Sequence, residues 1–138
     1  MEAPTNMKTQ SKFLLTKIGQ ISVNVHDLER ATAFYKDVLG MKHLFSGPPK
    51  MAFFDCDGIR LMLAIPERPD LDHPSSILYF KVKNIEETHR MLEESGVHFE
   101  TKPMLVAPMA THDLWLAEFR DSESNVLALM CEKAKAET

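Results

Sequence analysis

IGQISVNVHDLERATAFYKDVLGM, residues 18–41, carries two hydrophobic periods in succession. Up to Val25 the side chains alternate, with Gly19, Ile21, Val23 and Val25 on one side and Ile18, Gln20, Ser22 and Asn24 on the other. Period two predicts a strand with one apolar and one polar face. Asp27 then offers an N-cap, and Leu28, Ala31, Phe34, Tyr35, Val38 and Leu39 recur at helical spacing until Gly40 ends the stripe. Strand followed by amphipathic helix is the opening of a sheet covered on one side.

Beyond it, residues 42–45, 51–56 and 59–65 read as short strands, parted by Gly47-Pro48-Pro49 and by Asp57-Gly58, a dipeptide suited to a tight hairpin. The first half is therefore βαβββ. PERPDLDHPSS, residues 66–76, has the prolines and charges of a connection. The same grammar then restarts: a strand over 77–82, Asn84 as N-cap with Glu87 three residues on, a stripe of Ile85, Thr88, Met91, Leu92 and Ser95, and Gly96 as stop. Strands over 97–101, 104–107, 113–120 and 126–131 complete a second copy. A shift of 57 residues lays Asp27 on Asn84 and Val25 on Val82, so the chain contains one supersecondary unit twice. The expected class is α+β, built from two βαβββ modules. The expected organisation is a polar extension over 1–16, one domain over 17–132 (modules 17–66 and 76–132, connection 67–75) and a polar tail over 133–138.

Composition limits the functions. The 138 residues carry a net charge of −4, with 44% hydrophobic and 26% charged side chains, which is ordinary for one globular domain. No concentrated basic face offers itself to phosphates, so no nucleic-acid partner is expected. No apolar run is long enough for a membrane span, and the first dozen residues lack a signal peptide's apolar centre. Cys56 and Cys131 cannot make a disulfide framework. The expectation is a soluble, cytoplasmic protein.

Strand parity predicts which residues face away from the helices: Gln20, Ser22 and Asn24, then Arg60, Met62 and Ala64, then Ile77, Tyr79 and Lys81, with Ala128 and Met130 on the last strand. Apolar walls dotted with such polar groups suit a small-molecule cavity; a solvated sheet face is the alternative. Arg60 and Lys81 would supply cations for an anionic ligand, and Tyr79 a stacking surface. His112 and Glu118 fall on one side of the eighth strand, where the carboxylate could serve as a general base. The other five histidines read as surface or capping residues, and Trp115 as core.

Together, IGQISVNVHDLERATAFYKDVLGM, the duplicated βαβββ unit and the late FRDSESNVLAL resemble the vicinal oxygen chelate superfamily, the glyoxalase, bleomycin-resistance and extradiol-dioxygenase group. The resemblance implies two modules curled into a half-barrel around the site, and a homodimer. In metal-dependent members it also implies a divalent ion on four ligands, whose places here fall on Gln20, Met62, Ile77 and Ala128. Only the first carries an oxygen or nitrogen donor, so neither metal nor other cofactor is expected. Ser122 and Ser124 stand where the family's hairpin has Pro and Gly. The leading expectation is a metal-free binding protein for resistance or sequestration. Two alternatives are an enzyme using Glu118 and His112 or a displaced metal, and a protein-interaction module.

Overall fold

The computed structural model describes residues 14–47 and 50–135. Most of the expected N-terminal extension and the end of the tail lie outside these residues. Strand β1 (Gln20–Asn24) leads into helix α1 (Leu28–Ala33), and β2 (Lys42–Gly47), β3 (Met51–Cys56) and β4 (Ile59–Ala64) complete the first unit. A single 3-10 turn at Pro69–Leu71 interrupts the connection. The second unit runs β5 (Leu78–Lys81), α2 (Ile85–Glu94), β6 (His98–Phe99), β7 (Met104–Pro108), β8 (His112–Arg120) and β9 (Val126–Ala134).

The two sheets share one plan. Their orders are β1-β4-β3-β2 and β5-β9-β8-β6, with β7 also paired to β8. In each, the first strand runs parallel to the last and the rest are antiparallel. β6 and β7 together occupy the place that β2 fills alone, because residues 100–103 leave the ladder between them. The strand expected over 97–101 is accordingly cut to two residues. Both helices start with the same device 57 residues apart: the Asp27 carboxylate accepts from Arg30 N at 3.0 Å, and the Asn84 side-chain carbonyl from Glu87 N at 3.0 Å. Asp57 and Gly58 both adopt positive φ, 52° and 91°, as a two-residue hairpin requires.

Parity sorts the core as the alternation requires. Val23, Val25, Ala52, Phe54, Leu61 and Leu63 from the first sheet join Ala117, Phe119, Leu127, Leu129 and Cys131 from the second in one buried cluster. The first helix departs from the single stripe expected over 28–39. After Ala33 it widens to a π-turn over Phe34–Val38, with Leu39 N bonded to Phe34 O at 3.0 Å. Tyr35, wholly buried, sits in this turn.

Its hydroxyl donates to Asp121 Oδ2 at 2.6 Å, tying the first module to the β8–β9 hairpin of the second. Burial, and the Asp121 and Glu123 carboxylates, push the phenol far above its usual range. Above about pH 10 the unfolded chain releases a proton that the native Tyr35 retains, so this group makes stability fall as pH rises there. The gap in stability between the wild type and Tyr35→Phe should therefore narrow above about pH 10, by up to ~1.4 kcal/mol per pH unit, in urea titrations across that range. A gap constant with pH would contradict this account.

In the same hairpin Ser124 takes φ 65°, the left-handed position. A side chain costs about 1–2 kcal/mol there, and glycine would return part of that through the freedom of the unfolded chain. Ser124→Gly should raise unfolding stability by roughly 0.5–1 kcal/mol by denaturant titration.

Candidate functional site

β1 and β4 run side by side in parallel register, with Gln20 beside Arg60, Ser22 beside Met62 and Asn24 beside Ala64. All six point away from the α1 face, because their neighbours Val23, Leu61 and Leu63 fill the core. Above this open face lies a groove of about 610 Å³, within the range of small-molecule sites. Its floor is Met51, Met62, Ala64 and Ser22, and its far wall is the connection, through Ile65, Pro66, Glu67, Leu71, His73, Ser75 and Ser76, with Lys50 and Asn24 at the sides.

The connection becomes a wall because β1 holds it. Asn24 Nδ2 donates to Leu71 O at 2.7 Å and to His73 O at 2.8 Å, and its backbone N–H donates to Ser75 Oγ at 3.0 Å. His26 adds a contact from its Nε2 to Asp72 Oδ1 at 2.9 Å. Asn24, expected as a ligand contact, lines the groove and also builds its wall, through its backbone N–H and its Nδ2. The other polar groups facing the groove include Ser22, Lys50, Glu67 and Ser76. His73 joins them: its Nδ1 lies 3.0 Å from Pro74 O and must donate there, leaving Nε2 as an acceptor in the neutral ring. Sequence reading missed the wall and Lys50, since a proline-rich connector carries no periodicity. The one available signal was Asn24, the last residue on the polar face of β1.

The remaining candidates fall elsewhere. Gln20 and Arg60 lie just beyond the floor, next to Met62: Arg60 Nε donates to Gln20 Oε1 at 2.9 Å, and Gln20 Nε2 lies 3.8 Å from Met62 Sδ. Tyr79, Ala128 and Glu118 form one rung across the second sheet, and Lys81 and Met130 the next. None of these five lines the groove. Lys81 is paired with Glu132 at 3.1 Å and is not a cavity cation. His112 contacts Thr111 at 2.9 Å and pairs in the ladder with Ala134. Six residues of extended strand separate it from Glu118, about 20 Å at ~3.3 Å per residue, so the two do not converge within one chain. The groove is built on the first sheet and the connection, and these second-sheet residues take no part in lining it. Trp115 packs against the core, as its parity required.

Of the four places to which the family assigns an ion, Gln20 and Met62 adjoin each other, Ala128 belongs to the Tyr79–Glu118 rung, and Ile77 directly precedes β5. An amide, a thioether and two hydrocarbon side chains do not fit a hard divalent cation. No group of three or more His, Cys, Asp and Glu among the described residues is placed to hold a metal.

At the far end of β1 the two modules are riveted together. Asp121, buried, accepts from Tyr35 Oη, from Glu123 N at 2.8 Å, from Asn125 N at 2.9 Å and from Asn125 Nδ2 at 3.0 Å. Glu123 caps the entry to α1, accepting from His26 N at 2.7 Å, Asp27 N at 3.2 Å and Arg30 Nη2 at 3.1 Å. Asn125 Nδ2 also donates to Asn24 O at 3.1 Å, so the hairpin reaches the strand that holds the groove wall.

Duplicated βαβββ units with first and last strands parallel, and a ligand-sized groove on the helix-free face, define a class of paired-module proteins. Residues 17–129 match the Glyoxalase/Bleomycin resistance protein/Dioxygenase superfamily, and the chain belongs to it. YraH from Bacillus subtilis (strain 168) is 28% identical over 131 residues, covering 82% of this chain and 96% of its own. Among solved structures, a superfamily member from Sphaerobacter thermophilus DSM 20745 superposes with a TM-score of 0.73 at 22% identity, covering 87% of this chain and 100% of that one. Lactoylglutathione lyase from Agrobacterium tumefaciens gives 0.67 at 19% identity, covering 84% and 93%. At these identities the likeness is one of fold. No helix among the described residues is long and apolar enough to cross a membrane.

Proposed function

We propose that this chain is a metal-independent small-molecule-binding protein that sequesters its ligand, in the manner of a resistance protein. The observation carrying this reading is the groove on the first sheet, whose apolar floor and ring of uncommitted polar groups stand beside two ion positions filled by Gln20 and Met62. Those side chains can contact an organic ligand but cannot polarise it as a divalent ion would. The separation of His112 from Glu118 along β8 favours binding over acid–base catalysis. Two free cysteines accord with a reducing, cytoplasmic setting.

The groove is formed by the first sheet and the connection, while the second module leaves Ile77, Tyr79, Met104 and Leu105 each more than two-fifths exposed. Apolar surface left open in this way supports a homodimer, in which a second copy covers it. Isothermal titration of chelator-treated protein against a panel of aromatic and aliphatic acids, amides and drugs tests the binding reading. Saturable uptake of at least one compound at one site per chain is expected. Failure of every compound, together with stoichiometric uptake of a divalent metal, would overturn it. Glu118→Gln should leave the affinity unchanged, whereas a general base would lose roughly 10²-fold or more in turnover.

A further inference from the structure

We propose that Arg60 supplies the fixed positive charge of this site, so that its ligand is an amphipathic acid: a carboxylate held on the Arg60 guanidinium, with an apolar body lying over Met62 into the groove. The inference rests on the binding reading above and names the ligand class for it. Two contacts set the guanidinium in place. Gln20 Oε1, held directly beside Arg60 by the parallel register, accepts from Nε at 2.9 Å, and the Arg60 guanidinium carbon stands 5.3 Å from the centre of the Phe53 ring. Among the described residues neither terminal nitrogen has a hydrogen-bond or ion-pair partner. A planar fork with its side edge taken and its end edge open matches the two oxygens of a carboxylate.

Among the described residues, the carboxylate paired with Arg60 in the ladder is Asp55, directly across β3–β4. It is turned to the hairpin, accepting from Gly58 N at 3.2 Å, and makes no ion pair with Arg60. Met62, on the groove floor, lies two residues along β4 on the same face, about 7 Å away at the rise of a strand. A headgroup on Arg60 therefore leaves the rest of a ligand over the thioether and alongside Ser22. Gln20, at a place where ion-bearing relatives have a metal ligand, here orients an organic cation. It is a positioning residue, and the charge that an ion would bring comes from the chain itself.

The test uses 4-phenylbutanoate and its neutral partner 4-phenylbutanamide, titrated calorimetrically into full-length, chelator-treated protein at low and high salt. The acid should bind about 10-fold tighter than the amide, with a preference that shrinks as salt rises. Arg60→Gln should erase the preference while leaving amide affinity unchanged, and Arg60→Lys should keep only part of it. Gln20→Leu should lower acid affinity several-fold and spare the amide, a selective change that mere loosening of the sheet would not produce. Equal binding of acid and amide by the wild type, or a preference that survives Arg60→Gln, would overturn the inference and leave the binding reading intact. If neither probe binds while other neutral compounds of the panel do, the inference also falls. If nothing binds and a metal ion does, both readings fall together.

Discussion

Asp121→Ala is expected to lower the free energy of unfolding by about 3–5 kcal/mol, the cost of removing one partner from a buried charged network. Four donors converge on this one carboxylate: the Tyr35 hydroxyl, the Glu123 and Asn125 backbone N–H groups and the Asn125 amide. With the carboxylate gone they are stranded where Tyr35 is wholly buried and little water can reach them. Asn125 would also loosen its grip on Asn24, and with it the strand end that holds the groove wall. Tyr35→Phe removes only one of the four bonds and should cost about 1.5–3 kcal/mol, as for a hydrogen bond to a charged group. The double variant should cost less than the sum of the two, because both delete the same contact. Urea unfolding followed by circular dichroism measures all three; a loss under about 1 kcal/mol for Asp121→Ala would show that the rivet between the modules is not a strong one.

Ala64→Trp should reduce the affinity for any groove ligand by at least roughly 30-fold, about 2 kcal/mol, with little change in the unfolding midpoint. Ala64 lies on the groove floor between Asn24 on β1 and Met51 on β3, and its side chain points away from the core that Leu63 fills. An indole there occupies the space a ligand needs without displacing anything packed against α1. The measurement is a titration of the variant with whichever compound the panel identifies. Unchanged affinity would place that compound outside the groove.

Much of this architecture was legible because strands and helices impose periods on side chains. Alternation through Ile21, Val23 and Val25 placed β1 and its inward face, and the repeat at 57 residues was visible as Asp27 over Asn84 before either was seen to cap a helix. Asp57-Gly58 specified its hairpin because few other residue pairs tolerate two positive φ angles in a row. Parity also put Gln20, Ser22, Arg60 and Met62 on one face, and the register of β1 against β4 brings them together.

The candidate site was legible only by half. Tyr79, Lys81, Ala128, Met130, Glu118 and His112 share the right kind of face but on the other sheet, and face alone does not say which sheets look at each other. Nor could the spacing of His112 and Glu118 on one strand reveal that its length holds them apart.

What the amino-acid order determined by itself was local: which segments extend, which coil, where each begins and ends, and which side of each strand is apolar. These follow from contacts within a few residues, where propensity, capping and period act. What only the tertiary structure decided depends on partners far apart in the chain. Residues 66–76 form a wall because Asn24, some fifty positions earlier, bonds to Leu71, His73 and Ser75. Arg60 is a held cation because Gln20, 40 residues away in sequence, lies beside it in the sheet. No local pattern encodes such pairings, for their free energy exists only once the sheet has brought the two ends together.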